Sequence, residues 1–588
     1  MCTANKIKKD INNKTNKIFY GMASNCFKHM YLLFRVFTDK VIDFVFSWIW
    51  DTRKAIPDLE PKHKILAESA TSLAKKIRNK ELKAEELMKC VIERIKAVNP
   101  IINAVTDERF EDALKEAREI DRKIAEGLPD EYFDKRPFLG VPFTAKESHA
   151  VLGLRHTLGL TARRETRAGG DARCVAELRA AGAVPVAVTN VPEINKWQET
   201  RNHVFGQTCN PYHLGRTAGG SSGGEAALAA ALATPISLLC IYPFCNTLYT
   251  GTRSHVFGQT CNPYHLGRTP GGSSGGEAAL AAALATPISL CSDIGGSTRM
   301  PAFYCGLFGH NPTAGTTSLQ GSTLRSGKDD TMASIGFVSR RCADLAPLTR
   351  VVAAEKGALL ELGREVHVKD IKFYYTETAT DLRVSPICGD LRKAMNKVVS
   401  RLSTDSSKPT PYTHPGFSHM FALWKYHMSK ESECFPRMLT NNRGYAVGLA
   451  ELVKKCLGLS QYTLAAVLKL LDEQVLPQPP AEWAESLTRD MRRDLTELLG
   501  TDGVLLFPSA PHPAPYHYSA FLRPFNFAYW GLFNVLRFPA TQVPLGLNSS
   551  GLPLGIQVVA APHQDALCLA VAQHLEDLFG GYVPPCKV

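Results

Sequence analysis

The chain has 588 residues, of which 45% are hydrophobic and 21% charged, so it can build one large core or several smaller ones. This balance is that of an ordinary globular protein and excludes a disordered or fibrous chain. The formal net charge is +12, and segment 6–28 contributes six lysines against one acid. Such a segment favours an anionic partner, although a merely soluble tail explains it equally well. No run mixes basic residues with stacking aromatics, so we expect no nucleic-acid partner.

The sixteen cysteines are scattered along the chain without a CxxC pair or a cluster with histidine. That distribution argues against a zinc site, and we expect no bound metal. A chain of this length does not need disulfides to fold, so reduced thiols and an intracellular setting are favoured.

The segment 29–54, HMYLLFRVFTDKVIDFVFSWIWDTRK, is the one candidate membrane helix. Its longest uncharged run, 44–50, is far shorter than the roughly 20 apolar residues that a spanning helix needs. Arg35, Asp39 and Asp43 follow one another at a spacing of four, so they share one helical face and leave the other faces apolar. This pattern favours a helix lying in the membrane interface. The alternatives are a helix packed on the protein's own core, or a spanning helix whose charges find partners.

The periodicity predicts helices from about 64 to 127, with the pattern of the longest one stopping at Pro100. Short apolar runs then predict buried strands that alternate with helices such as 171–182. These runs are FLGVPFTAKE, AVPVAVTN, VLLFPS and GLPLGIQVVAAP. The region from about 400 to 500 is predicted to be mainly helical, and 562–579 to be a last amphipathic helix. The alternation indicates an α/β fold, a mixed or parallel sheet covered by helices on both faces. Residues 64–580 are therefore expected to form one domain, preceded by the basic arm and helix of residues 1–60.

A near-exact repeat interrupts this domain. Residues 200–238 and 252–290 are identical at 37 of 39 positions and differ only at Asn202/Ser254 and Ala218/Pro270. Solenoid architectures need several diverged copies, so two such similar copies indicate a recent duplication or an error in joining coding segments. Because only the second copy continues into SDIGGS, the segment 200–251 is interpreted as the inserted one.

Two glycine-rich loops carry serines, GGSSGGE with Ser273 and SDIGGS with Ser297, 24 positions apart (297 − 273). The alanine-rich segment between them is predicted to be a helix. Glycines let the backbone approach another group closely, and consecutive N–H groups after an apolar strand suit an oxyanion hole. A single loop of this kind is more simply a linker, but two on a rigid frame favour a site. Neither loop continues into the Gly-Lys-Ser/Thr of a phosphate cradle.

A serine nucleophile needs a base. None of the 17 histidines lies in a recognisable nucleophile motif, and the chain has no GxSxG elbow. Lys146, at the end of the apolar run FLGVPFTAKE, can serve if burial lowers its pKa by about three units from its usual value near 10.4. Taken alone, Lys146 is more simply interpreted as an ordinary residue at a strand end.

Lys146 after GVPFTA, then GGSSGGE and then SDIGGSTRMPA together resemble the signature of the amidase signature family, over about residues 65–580. Near the end, RPFNFAYWGLFN and LPLGIQVVA are most similar to the membrane-associated fatty-acid amide hydrolases of that family. The resemblance implies the amidase-signature fold and a serine hydrolase that cleaves fatty-acid amides into fatty acid and amine through an acyl-enzyme. It implies a lipid amide substrate, a membrane-associated location and no cofactor, and it leaves a homodimer open.

The resemblance also assigns roles within a Lys-Ser-Ser triad. It makes Ser297 the nucleophile, Ser273 the proton shuttle next to a cis peptide bond, and Lys146 the base. Ser221, in the first copy, is the alternative shuttle because its distance from Lys146 is the one usual in the family (221 − 146 = 75). Ser273 is preferred because looping out 200–251 disturbs the fold less than lengthening the link to Ser297.

The oxyanion hole implied by the family consists of the N–H groups of Ile294, Gly295, Gly296 and Ser297.

Three other interpretations of the protein's function remain open. The duplication makes a catalytically inactive, membrane-associated scaffold credible. A general amidase, or an amidotransferase subunit that needs a glutaminase partner, is possible within the same family. The aromatic stretches 416–430 and 525–533 suit either an acyl channel or the ordinary core.

Overall fold

The computed structural model describes residues 30–48, 50, 56–205, 262–323, 331–431 and 434–588. Its centre is a single sheet. In chain order the strands are β1 Val105–Glu108, β2 Pro142–Lys146, β3 Val184–Thr189, β4 Ile288–Asp293, β5 Phe308–Asn311, β6 Ser334–Ser339, β7 Lys372–Tyr375, β8 Thr410–Pro411, β9 Gly503–Pro508, β10 Ala540–Leu547 and β11 Pro553–Val559. Within the sheet they lie in the order β1-β3-β2-β4-β6-β5-β10-β11-β9-β7-β8.

The sheet is mixed. Strand β2 pairs in parallel with both β3 and β4, whereas β10 pairs antiparallel with β5 and β11. The four apolar runs predicted as strands correspond to β2, β3, β9 and β11, each buried along nearly its whole length. The predicted α/β fold is therefore confirmed.

Helices flank this sheet. In chain order they are α1 30–48, α2 Ala70–Arg78, α3 Ala84–Ile102, α4 Phe110–Glu126, α5 Asp130–Asp134, α6 Arg173–Ala180, α7 Gly275–Ala282, α8 Arg299–Tyr304, α9 Leu345–Ala353, α10 Gly389–Asp405, α11 Met420–Lys430, α12 Phe435–Leu439, α13 Gly448–Cys456, α14 Leu464–Gln474, α15 Ala481–Leu499, α16 Ala528–Leu536 and α17 Asp565–Phe579. The predicted helices at 171–182 and 562–579 correspond to α6 and α17, and the region 400–500 is mainly helical as predicted.

The predicted stop of the longest early helix at Pro100 is wrong. Helix α3 continues through Pro100 to Ile102 and ends at Asn103, whose φ of 46° is left-handed. A proline in the last turn removes only one helical hydrogen bond. Val98 and Ile102 are fully buried, so core packing holds the last turn in place.

Helix α7 links the two glycine loops and is buried on every side. Its alanines and glycines leave a thin cylinder, which packs closely against α3 and strands β2 and β4. Helix α7 begins just after Ser273. Strand β4 is the next element, and it ends just before the turn that carries Ser297. The packing of α7 therefore fixes both serine loops relative to the sheet.

Helix α1 contacts the domain with its charged face. Asp39 is buried and accepts hydrogen bonds from Arg523 (Nε–Oδ1 2.9 Å) and His512 (Nε2–Oδ2 3.3 Å), while Asp43 accepts from Arg523 Nη1 at 2.9 Å. Burial would raise the pKa of Asp39, but the His512 hydrogen bond and the Arg523 charge lower it to about 2. Ion pairing therefore anchors this helix to the domain.

The opposite face of α1 is apolar and points away from the protein. Phe34, Phe37 and Trp48 are 63%, 64% and 79% exposed, whereas Ile42 and Phe46 are buried against Tyr516, Tyr518 and Phe521. Within the described ranges, no helix combines the length and the apolar character needed to cross a bilayer.

The structure describes a different part of the repeat in each copy. Residues 200–205 belong to the first copy and 262–290 to the second. Joined end to end, these two segments correspond to one complete copy except for four positions. Asn202 donates to Asn190 Oδ1 (2.9 Å) and to the Val191 carbonyl (2.7 Å), and its Oδ1 accepts from Val204 and Phe205 N–H. The second copy has the shorter Ser254 at this position. Ser221 lies outside the described residues.

Two deletions test whether the first copy is a dispensable insert, which stays a prediction. Removing 206–257 leaves a single copy with Asn202, and removing 200–251 leaves the same copy with Ser254 instead. We expect the first deletion to keep the thermal stability of the full chain. The second should be about 1–3 kcal/mol less stable, because the Asn202 hydrogen bonds are lost. Thermal melts and urea titrations check both; failure of the 206–257 deletion to fold would contradict the insert interpretation.

Candidate active site

Lys146 lies at the carboxyl end of β2 and is only 1% exposed. Its ammonium nitrogen donates to the hydroxyl of Ser273 at 2.8 Å and to that of Ser292 at 3.1 Å. Strands β3 and β4 flank β2 in parallel, so the ends of three strands meet at one edge of the sheet. The structure therefore brings the predicted base to the predicted shuttle.

Burial controls the charge of this lysine. The loss of water lowers the pKa of Lys146 from its ordinary 10.5 to about 8, although Cys291, Asp293 and Glu277 act in the opposite direction. A lysine with this pKa is neutral in about one molecule in ten at pH 7 and in about half of the molecules at pH 8. It can therefore accept a proton, which an ordinary exposed lysine cannot do at that pH.

Ser273 lies just before α7 and is fully buried. The peptide bonds on both sides of it are trans, so the cis bond implied by the family is not found. The trans chain already brings the Ser273 hydroxyl to Lys146, as the 2.8 Å distance shows.

Ser297 lies in the turn that follows β4 and is half-buried. Its side chain lines the same cavity as Lys146, Ser273 and Ser292. Within the described part of the chain, no hydrogen bond joins the Ser297 hydroxyl to Ser273 or to another side chain. The three predicted catalytic residues thus line one cavity, with Lys146 and Ser273 buried and Ser297 half-buried.

The turn that carries Ser297 is held by a buried ion pair. Asp293 accepts from Arg299 Nε at 3.1 Å, and both side chains are shielded from solvent. Burial would raise the pKa of Asp293, but the Arg299 charge and the turn's N–H donors keep it below its ordinary value. Arg299 also donates to Gln557 Oε1 (2.8 Å) and Asn534 Oδ1 (2.7 Å). One guanidinium thus fixes the turn to β11 and α16.

The four N–H groups predicted to form the oxyanion hole do not all point to open space. The Gly296 N–H donates to Asp293 Oδ1 at 2.7 Å, because this carboxylate is the strongest acceptor beside the turn. None of the described residues accepts from the N–H of Ile294, Gly295 or Ser297. In this structure the prediction for Gly296 therefore does not hold, and three candidate donors remain.

Two tryptophans pack against the turn at its glycines. Gly296 has a φ of 99°, and a Cβ there would come within 2.4 Å of Trp530 Cβ, so a side chain is excluded by conformation and by space. Trp424 Nε1 donates to the Ile294 carbonyl at 3.0 Å, which fixes the orientation of that peptide. The aromatic stretches 416–430 and 525–533 thus both reach the site.

Sequence reasoning missed Ser292 and Arg299, and it named the aromatic stretches that contain Trp424 and Trp530 without connecting either tryptophan to the turn. Ser292 could have been found, because a serine near the end of an otherwise apolar strand, beside the strand of Lys146, is a candidate contact of that lysine. Trp424 and Trp530 lie more than 100 positions from the turn, and no local pattern connects them to it.

A family model called Amidase matches residues 86–238 and 246–569 of the chain. The chain therefore belongs to the amidase family and is an amide hydrolase. Human fatty-acid amide hydrolase 2 is 38% identical over 544 residues, which cover 90% of this chain and 92% of that protein. Zebrafish fatty-acid amide hydrolase 2-A is 36% identical, over 89% of this chain and 91% of its own length. The predicted resemblance is confirmed.

Among solved structures, one of a fatty acid amide hydrolase superposes with a TM-score of 0.64 and 20% identity, covering 90% of this chain and 87% of the other. This likeness confirms the predicted amidase-signature fold.

Proposed function

We propose that this amidase cleaves fatty-acid amides into a fatty acid and an amine at a membrane surface, through an acyl-enzyme on Ser297. The observation that carries the proposal is the 2.8 Å hydrogen bond from Lys146 to Ser273, inside a cavity that Ser297 also lines. The substrate class is supported by similarity to fatty-acid amide hydrolase 2. The apolar outer face of α1 supports the location.

In the first step, Ser297 Oγ attacks the carbonyl carbon of the amide and passes its proton to Ser273. Ser273 in turn passes its own hydroxyl proton to the neutral amine of Lys146. The carbonyl oxygen becomes an anion, which the free N–H groups of the turn at 294–297 stabilise.

In the second step the C–N bond breaks, and the proton on Lys146 returns through Ser273 to the departing nitrogen. The products are a free amine and an ester between the acyl group and Ser297. A water molecule then repeats the sequence in place of Ser297, which releases the fatty acid and restores the enzyme. A base whose pKa lies near the working pH serves both directions of proton transfer.

A fluorophosphonate probe, which reacts with activated serines, tests this mechanism. We expect the wild-type protein to be labelled at Ser297 and Ser297→Ala to be unlabelled. Ser273→Ala should be labelled about 10²- to 10⁴-fold more slowly, since the proton relay is cut. Ser292→Ala is the matched control: it removes the other hydroxyl bonded to Lys146 but leaves the relay intact, so its rate should stay within about tenfold of wild type.

Mass spectrometry of the labelled peptide identifies the modified serine. Labelling that persists in folded Ser297→Ala would contradict the assignment of the nucleophile. If folded wild-type protein is not labelled at all, the inactive-scaffold interpretation replaces the enzyme.

The membrane proposal rests on the orientation of α1. A helix that directs its charges at the protein and its phenylalanines outward exposes a large apolar surface to solvent, which soluble domains avoid. Insertion of that face into the lipid interface removes it from water and leaves the Asp39–Arg523 ion pair undisturbed. The six lysines of segment 6–28 supply attraction to anionic lipids.

Helix α13 carries a second exposed apolar surface. Leu449, Val453 and Leu457 are 60%, 59% and 66% exposed, at a spacing of four. Helix α13 packs on α14, which in turn contacts the inner face of α1. The apolar faces of α1 and α13 thus lie on a connected group of helices, and both are proposed to contact lipid.

Vesicle flotation tests the membrane surface. In the triple variant Phe34→Ser, Phe37→Ser and Phe44→Ser, we expect the fraction bound to vesicles of phosphatidylcholine and phosphatidylserine to fall at least tenfold, because each buried phenylalanine contributes about 1.5–3 kcal/mol. Leu359→Ser, which removes a 53% exposed side chain elsewhere, is the control and should bind as wild type does. Equal binding of the triple variant and the control would contradict the proposal. The homodimer stays a prediction.

A further inference from the structure

A short turn, Glu193–Asn195, brings Asn195 and Lys196 to the wall of the catalytic cavity. Ile194 and Asn195 have φ values of 49° and 59°. This left-handed conformation is uncommon for any residue with a side chain and is an outlier for a β-branched one such as isoleucine. Two such residues in succession persist only where the surroundings enforce them, and backbone strain of this kind is concentrated at functional sites.

The surroundings do enforce this turn. The buried carboxylate of Glu193 accepts from the N–H (2.8 Å) and the hydroxyl (2.7 Å) of Thr463, at the start of α14. The Ile194 N–H donates to the Leu158 carbonyl at 2.9 Å. The strained backbone is therefore held from two sides, and Asn195 and Lys196 stand at fixed places on the wall.

The turn presents polar groups to a cavity that also contains the reactive serine. Asn195 Nδ2 donates weakly to Thr323 Oγ1 (3.4 Å), while its buried Oδ1 has no hydrogen-bond partner among the described residues. Lys196 extends along Met428, with 3.6 Å between Nζ and Sδ. Lys196 has other contacts as well.

Among the described residues that line the cavity, the other charged side chains are Lys146 and Asp293. Lys146 works as a neutral amine in the proposed mechanism, and the charge of Asp293 is offset by Arg299. An entirely apolar, neutral substrate displaces water from the Lys196 ammonium and offers it no hydrogen-bond acceptor in return. Beside a substrate carboxylate, the same group forms a charge-assisted hydrogen bond.

We propose that Lys196 and Asn195 are specificity-determining residues that select amides carrying an anionic group. The Lys196 ammonium binds the carboxylate of the substrate, and Asn195 Oδ1 accepts from a substrate N–H. This inference rests on the proposed amide hydrolysis and adds the charge of the substrate to it. The carboxylate can belong to the amine half, as in an N-acylglycine, or to the acyl half, as in the monoamide of a dicarboxylic acid.

Two matched pairs of substrates test the inference on the full-length protein. In the first pair, N-dodecanoylglycine is compared with N-dodecanoylethanolamine; in the second, dodecanedioic acid monoamide with dodecanamide. We expect wild type to have a kcat/KM at least about tenfold higher for the charged member of one pair, and that pair identifies the half that carries the charge. Lys196→Met should abolish this preference, mainly by raising KM for the charged member of that pair.

Lys196→Arg, which keeps the charge, should retain most of the preference, and the surface variant Lys369→Met should match wild type. A measurement without any variant adds a second test. Raising the salt concentration from about 0.02 to 0.5 M should lower kcat/KM for the charged substrate and leave the neutral one unchanged.

If wild type hydrolyses the neutral amides but shows no preference for a charged one, or keeps the preference in folded Lys196→Met, the inference is overturned while the proposed function stands. If it hydrolyses none of the four amides, the proposed function fails and the inference fails with it.

Discussion

Replacing Lys146 by methionine is expected to lower kcat/KM for a fatty-acid amide by about 10²- to 10⁴-fold, while the protein stays folded. Among the described residues, Lys146 is the one titratable group that is hydrogen-bonded to Ser273, and the variant removes it. Methionine has nearly the volume of lysine and no charge to bury, so the core around β2 should tolerate it. Activity on a neutral fatty-acid amide and a thermal melt check the two expectations.

The pH dependence of the wild-type enzyme follows from the same group. In the proposed mechanism Lys146 must be neutral to accept the proton, and burial lowers its pKa to about 8. The value of kcat/KM should therefore rise about tenfold per pH unit below 8 and level off above it. Stability should rise with pH as well. Between about 8 and 10.5 the unfolded chain holds a proton on this lysine that the folded chain has lost, so unfolding takes up a proton.

A neighbouring carboxyl group could also cause the rise of kcat/KM below pH 8, which is called the acidic limb of the pH profile below. Variants are therefore needed to assign this limb to one group. Glu277 is buried beside β2, where it accepts from Thr144 and Thr189, and burial raises its pKa to about 7. A limb caused by Glu277 would persist in the residual activity of Lys146→Met and vanish in Glu277→Gln. A limb caused by Lys146 would do the opposite. Persistence of the limb in Lys146→Met would show that another group is the base.

The sequence predicts the sheet and the order of the catalytic loops because both follow from local patterns. Strands β2 and β3 are continuous apolar runs, and a polar residue that ends such a run, as Lys146 does, lies at the edge of a parallel sheet. The glycines of the turn at 294–297 also mark a position where a side chain is excluded. The pattern does not reveal what excludes it: Trp530 comes from a distant helix.

Helix α1 shows what a local sequence pattern does not predict, namely which face of a helix contacts the rest of the protein. Its period predicts a charged face and an apolar face, which the structure has. Which face meets the protein depends on Arg523, 480 residues beyond Asp43, and no window of sequence contains both. Pro100 shows the converse limit, because a local rule for ending helices is overridden when the last turn is packed in the core.

The ion pair between Asp293 and Arg299, beside Ser297, should be the most sensitive structural element of the site. Replacing Arg299 by methionine is expected to cost about 3–5 kcal/mol of the free energy of unfolding, because it leaves the carboxylate of Asp293 buried without a counter-charge. Gln557 and Asn534 lose their donor at the same time. Urea titration followed by tryptophan fluorescence measures the loss. Fluorophosphonate labelling should also fall, since the turn with Ser297 is no longer held to β11 and α16.

Two further variants separate charge from geometry. Arg299→Lys keeps the positive charge but cannot reproduce the planar fork that contacts Asp293, Gln557 and Asn534 together, so its stability should lie between those of wild type and Arg299→Met. The double variant Asp293→Asn with Arg299→Met removes both charges. It should lose less free energy than the two single changes added together, because neither side chain then remains as an isolated buried ion. If the losses simply add, burial of an unpaired charge is not the reason why Arg299 is needed. Labelling should stay low in the double variant even where stability recovers, because an asparagine amide does not hold the N–H groups of Gly296 and Thr298 as the carboxylate does.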